Sequence, residues 1–141
     1  QGGGLEPPAG RDRLVDMVRS GRIEVEEPVL IGRHCQIGEG ARISNSCIDN
    51  YTRIGDGAVI EDSAVMDRTY IGEGAVVKGS IIGRHAVVES TRRRPTSIVR
   101  LSVVGDDVWV GEGSTLTGAR VYPHLRLEEG VYEGVVFGFQ R

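Results

Sequence analysis

Ile37-Gly38-Glu39-Gly40-Ala41, Ile54-Gly55-Asp56-Gly57-Ala58 and Ile71-Gly72-Glu73-Gly74-Ala75 follow one pattern at a spacing of 17 residues, and Val88 falls one period later. Each period divides into sides of six, five and six residues, such as IGDGAV, IEDSA and VMDRTY over 54–70. Every side opens on an aliphatic residue and carries a second small or apolar residue four positions on, as Ile54 does with Ala58 and Ile60 with Ala64. This fits neither the stripe of an amphipathic helix nor the alternation of a simple hairpin.

A fixed period this short marks a solenoid, whose units must stack because none buries its apolar face alone. Three flat sides per turn make a triangular coil, with the aliphatic and small residues inward and glycines at corners whose backbone a Cβ would disfavour. Upstream, 26–30 and 31–36 complete a turn that begins near Ser20; downstream, 104–126 resumes the pattern and Leu127 opens another turn. Val88 and Val110 lie 22 residues apart, five more than one period, which places one inserted loop near 89–97 around Thr91-Arg92-Arg93-Arg94-Pro95. Six turns at ~4.8 Å make a prism ~29 Å tall, a single domain over 20–130. Arg120 takes an inward-type position after Leu116, so either Ala119 turns in or that corner is distorted.

Residues 1–19 read as a linker, with Gln1-Gly2 fitting a cleavage scar, and a short helix over Arg11–Ser20. The helix presents Leu14, Val15 and Val18 on one face and stops at Gly21. Alone it would be marginal, so it is expected to cap the open end of the prism, where it hides a strand edge. Residues 131–141 form an apolar tail, Val135 to Phe139, suited to covering the other end or joining a partner chain.

The net charge is −3, with no apolar run long enough to cross a bilayer and no secretory signal, which predicts a soluble, cytoplasmic protein. Cys35 and Cys47 both take the inward position four after an aliphatic, but on different sides of adjacent turns, so no disulfide is expected. The only basic cluster is Arg92-Arg93-Arg94, without interleaved aromatics, which argues against nucleic acid as a partner.

Three-sided coils of [LIV]-G-x-x-[small] sides resemble the hexapeptide-repeat family. That resemblance implies an all-β fold, a single-stranded left-handed parallel β-helix, whose hand departs from the usual rule for parallel crossovers. Asn45-Ser46-Cys47-Ile48, Asp62-Ser63-Ala64-Val65 and Gly79-Ser80-Ile81-Ile82 resemble the NS-x-I turns of the C-terminal domains of sugar-1-phosphate nucleotidylyltransferases. Arg92-Arg93-Arg94-Pro95 followed by Ile98-Val99-Arg100-Leu101 and Val104-Gly105-Asp106-Asp107 is similar to the RRRP, LRL and GD elements that end long-form glucose-1-phosphate thymidylyltransferases. The continuation through Val110–Gly130 looks more like the mannose-1-phosphate guanylyltransferase type, so nucleotide and sugar stay open.

The catalytic half of such enzymes opens with a Gly-rich nucleotide loop between strand and helix, and no such element occurs in these residues. The resemblance therefore implies a non-catalytic oligomerisation and regulatory C-terminal domain, with no cofactor of its own. Mg would belong to the catalytic domain of the parent chain, which becomes a partner. Fold alone does not decide function, and an acyltransferase that moves acetyl from acetyl-CoA to an amino sugar phosphate is the alternative.

His34, His85 and His124 each stand fourth in their sides, three turns and then two turns apart. Separations of ~14 Å and ~10 Å exceed any shared coordination sphere, so no metal site is expected within one chain. Under the acyltransferase alternative His85, mid-prism, is the candidate general base. The competing reading makes it an exposed corner residue in a polar column with Tyr51, Arg68 and Asp107. Arg92, Arg93 and Arg94 are candidates for gripping a phosphate, against a solvated loop or one paired with carboxylates of a neighbouring subunit. Tyr70 and Trp109 share a column and fit an interface or an aromatic ledge. Three flat faces make a homo-oligomer natural, with a trimer favoured.

Overall fold

Sixteen strands, all paired in parallel, run through residues 9–138, the part of the chain that the computed structural model describes. The strands belong to three faces. The first face holds Arg42, Val59, Val76, Ser97, Thr115 and Val131 in one row, with Glu24 below Arg42. The second holds Leu30, Cys47, Ala64, Ile81, Val103, Arg120 and Val135, and the third Gln36, Arg53, Tyr70, Val87, Trp109 and Arg126. Two faces thus carry seven rungs and the third six. The fold is an all-β parallel β-helix of about seven turns, one more than the period count alone suggests, and it is consistent with a left-handed coil.

The 17-residue spacing sets which side chains meet. Ile54 and Ile71 stack in register and are 3% and 0% exposed. Ile43, Ile60, Val77, Ile98 and Leu116 form a second buried column, and Ile48, Val65, Ile82, Val104 and Val121 a third. In the column of Ile37, Ile54 and Ile71 the turns can stack this closely because the residue after the inward aliphatic is glycine. A Cβ on Gly55 would lie 2.6 Å from the backbone nitrogen of Glu73 in the next turn.

The five-residue sides correct the expected inward set. Ser46, Ser63, Ser80 and Ser102 turn in, whereas Cys47 and Ile81 are exposed and Ala64 is half-buried. The residue before each serine bends the chain in the left-handed region, as at Asn45, Asp62 and Gly79, so the side chain pointing inward comes one position earlier than hydrophobicity suggests. Each hydroxyl donates to a carbonyl of its own turn, as Ser63 does to Glu61 at 2.7 Å, and accepts a backbone N–H from the next turn. Buried serines are therefore fully satisfied, which burial demands.

Two further differences concern the insertion and the ends. Ser97 pairs with Val76, 21 residues away, and Val103 with Ile81, 22 away. Four residues are thus inserted before Ser97 and the fifth at Arg100-Leu101, a corner where both residues have positive φ, 62° and 61°. At the next corner Ala119 turns in, fully buried, and Arg120 points out, the first of the two arrangements the sequence leaves open. The strand Val131–Val136 pairs with Thr115–Val121, so the first part of the tail is another layer of coil.

Helix α1 covers Ala9–Arg19 and packs against the strand Gln36–Ile37 at the starting end. Leu14 and Met17 are buried with Ile23, Cys35 and Ile37, while Val15 and Val18 are both 41% exposed. The buried face is thus the i, i+3 pair Leu14 and Met17, not the Leu14, Val15 and Val18 face expected. Residues 1–8 and 139–141, which include most of the expected linker and the end of the tail, lie outside the described residues.

Candidate functional site

Three surface features bear on function: the histidine corner, the arginine loop and the outward side of the second face. At the corner between the second and third faces, His34, Tyr51, Arg68, His85, Asp107 and His124 occupy one column, each with φ between 55° and 66°. From Tyr51 upward each backbone N–H donates to the turn below, as Tyr51 does to Arg33 at 2.8 Å and His85 to Asp67 at 3.1 Å. The histidines therefore stand in one column on different turns, as the register predicts. Among the described residues no group of three His, Cys, Asp or Glu side chains could hold a metal ion.

Side chains in this column interlock mostly by stacking. His34 lies on Tyr51 with ring centroids 5.0 Å apart, and the Arg68 guanidinium covers the same ring at 4.7 Å. His124 Nδ1 is 3.2 Å from the Asp107 carboxylate. His85 is exposed. Asp67, whose carbonyl holds its backbone, already pairs its carboxylate with Arg68 at 2.9 Å and Arg84 at 3.1 Å. A general base needs an orienting partner, and the column offers one to His124 rather than to His85.

The arginine loop folds onto the opposite corner, where the third face meets the first. Thr91 and Arg94 close it by exchanging backbone hydrogen bonds of 3.3 and 3.1 Å. Arg92 lies across the bare corner at Gly57 and Gly74, its guanidinium 3.2 Å from where a Cβ on Gly57 would stand. Arg94 reaches the other way, 3.3 Å from Glu112, and also pairs with Glu129. Arg93 is exposed. The Arg92 and Arg94 guanidinium groups thus diverge, and Arg94 finds its carboxylates within its own chain.

On the second face the outward column reads Leu30, Cys47, Ala64, Ile81 and Val103. Leu30 is 70% exposed, Ile81 47%, and Leu101 stands out from the adjacent corner at 79%. These residues, with Pro28, line a groove of about 620 Å³. Once Ser46, Ser63 and Ser80 are placed inward, the period-2 alternation of a strand puts their apolar neighbours outward. Proper register of the five-residue sides is the signal that finds this column. The third face presents instead Arg53 over Tyr70 at 5.3 Å and Arg126 over Trp109 at 3.8 Å, so both aromatics already carry cations.

The model of the GMPPB C-terminal domain matches residues 25–136. No curated protein sequence matches the chain. Among solved structures, the UDP-N-acetylglucosamine acyltransferase of Francisella novicida is similar over 82% of this chain and 53% of its own, with 18% identity and a TM-score of 0.61. This chain thus spans about half of that enzyme. LpxA from Acinetobacter baumannii is 13% identical over 84% of this chain and 67% of its own, with a TM-score of 0.54. The acetyltransferase domain of PglB from Neisseria gonorrhoeae is 12% identical over 96% and 71%, with a TM-score of 0.50. At such identities the likeness concerns the fold.

Proposed function

The chain belongs to the GMPPB C-terminal domain family, and from that premise we propose that it is the non-catalytic, subunit-associating and regulatory domain of a sugar-1-phosphate nucleotidylyltransferase. The parent enzyme would join a nucleoside triphosphate to a sugar 1-phosphate on a catalytic domain outside these residues. The observation that carries this reading is the family match over 25–136, which takes in every strand but the first residue of the coil. The apolar second face supports the associating role, since exposed patches of this kind mark interaction sites.

The rival reading, an acyltransferase of the kind the structural neighbours represent, rests on His85. Its exposure, and the commitment of Asp67 to Arg68 and Arg84, favour a corner residue over a general base. The test incubates the chain with acetyl-CoA and a panel of amino sugar phosphates and follows the free thiol of coenzyme A. The expected result is no release above the uncatalysed rate. Turnover that His85→Ala abolishes would overturn the non-catalytic reading.

A further inference from the structure

We propose that the second face is the surface on which two copies of this chain associate, with their coil axes antiparallel about a twofold axis lying between Ala64 and Ile81. This deepens the associating role proposed above and rests on it. The outward column of five successive rungs, Leu30 to Val103, holds no charged side chain, and Asp62 at the corner is the one charged residue that lines the groove. The first face carries Glu24 paired with Arg42 and Lys78 paired with Glu61, and the third carries Arg53 and Arg126.

Side-chain sizes along the column select the direction. Cys47 and Ala64 form a low stretch, with Leu30 below and Ile81, Val103 and Leu101 above. Rotation about the twofold axis at the midpoint of Ala64 and Ile81 sets each Ile81 over the partner's Ala64, each Cys47 opposite the partner's Val103 and each Leu30 opposite the partner's Arg120. A twofold with parallel axes would instead set Ile81 against its own copy and leave Ala64 facing Ala64 across a gap, where neither packs well.

Charge follows the same polarity. At the corner between the first and second faces, exposed Glu27 and Asp62 occupy the lower rungs, and exposed Arg100 the upper; Arg120 follows Val103 in the outward column. A twofold axis in the interface and perpendicular to the coil keeps this corner on the same side but reverses its order. Glu27 on the first rung then meets the partner's sixth rung, where Arg120 stands, and Arg100 on the fifth meets the partner's Asn45, one rung from Asp62. Glu27, Arg100 and Arg120 have no ion-pair partner among the described residues, so they are available for one. Such complementarity fixes register and orientation more than raw affinity. A pair of this kind is isologous and closes on itself, in place of the threefold packing that the prism shape alone suggests.

Thiol chemistry tests this, because Cys35 is buried and Cys47 is exposed. In the antiparallel pair the two Cys47 thiols lie three rungs apart, about 14 Å, beyond disulfide reach. Val103→Cys sets a new thiol opposite the partner's Cys47. Oxidation with copper phenanthroline should then give a covalent dimer for Val103→Cys, none for the unsubstituted chain, and none for Val103→Cys combined with Cys47→Ser. Ala64→Arg, an outward substitution, should shift the chain to monomer with its circular dichroism unchanged. Cross-linking of the unsubstituted chain through Cys47 would overturn the antiparallel arrangement. A chain that associates yet gives no Val103→Cys cross-link would overturn this interface while leaving the associating role standing. A monomeric unsubstituted chain would overturn both.

Discussion

The Ser63 hydroxyl sits one turn below the backbone nitrogen of Ser80 and accepts its N–H at 3.1 Å. The same contact recurs one turn down, where Ser46 accepts from Ser63 at 3.0 Å, and one turn up, where Ser80 accepts from Ser102 at 3.2 Å. A column of hydroxyls thus replaces, at this corner, backbone acceptors that the bend turns away. Ser63→Ala should leave a buried N–H without a partner and cost about 1–3 kcal/mol, read as a lower urea midpoint. An unchanged midpoint would remove the ladder from the account of stability.

Two glycine substitutions should behave oppositely. Gly79 has φ +56°, and a Cβ there would meet nothing closer than Leu101 at 4.0 Å; the equivalent corners hold Asn45 and Asp62. Gly79→Asn should be neutral or stabilising by up to about 1 kcal/mol, through the unfolded state. Gly55→Ala drives a Cβ to 2.6 Å from Glu73 backbone and should cost about 1–3 kcal/mol or more. Thermal unfolding of the two variants checks the contrast.

Ile71 is fully buried between Ile54 and Val88 of the adjacent turns. Truncation to Ala at Ile71 or Ile54 should cost about 2–5 kcal/mol, measured by denaturant titration. These positions are readable from the sequence because one aliphatic residue every 17 positions has few structural explanations.

What the sequence left hidden has physical causes. Ala64, Cys47 and Ile81 are the apolar residues of their sides, so hydrophobicity nominates them as core; backbone hydrogen bonding at the corner selects Ser46, Ser63 and Ser80 instead. The insertion looked like one loop because only its total length shows between Val88 and Val110. Splitting it needs the pairing of Ser97 with Val76. The divergence of Arg92 and Arg94 depends on which corner the loop folds back onto, which no local pattern encodes. Strand Val131–Val136 was hidden because its outward residues, Val131 and Val135, are as apolar as those of a free tail.

Burial beneath α1 raises the Cys35 thiol above its ordinary value of 9.0, more than its backbone hydrogen bonds and Arg11 lower it. The folded state therefore holds this proton more tightly than the unfolded chain. Its contribution is intact below pH 9.0 and is lost as pH rises from 9.0 through the folded value, because the unfolded thiol ionises first. Cys47, which is exposed, should react with a thiol reagent in the native state, and Cys35 should react only on unfolding. A shared stability decline above pH 9 in Cys35→Ala and the unsubstituted chain would contradict the assignment.

Association through the coil is the central claim, and the molar mass of the chain in solution tests it most directly. Static light scattering at micromolar concentration should give about 30 kDa, twice the 15.2 kDa chain. A mass that stays at 15.2 kDa across the concentration range would contradict it.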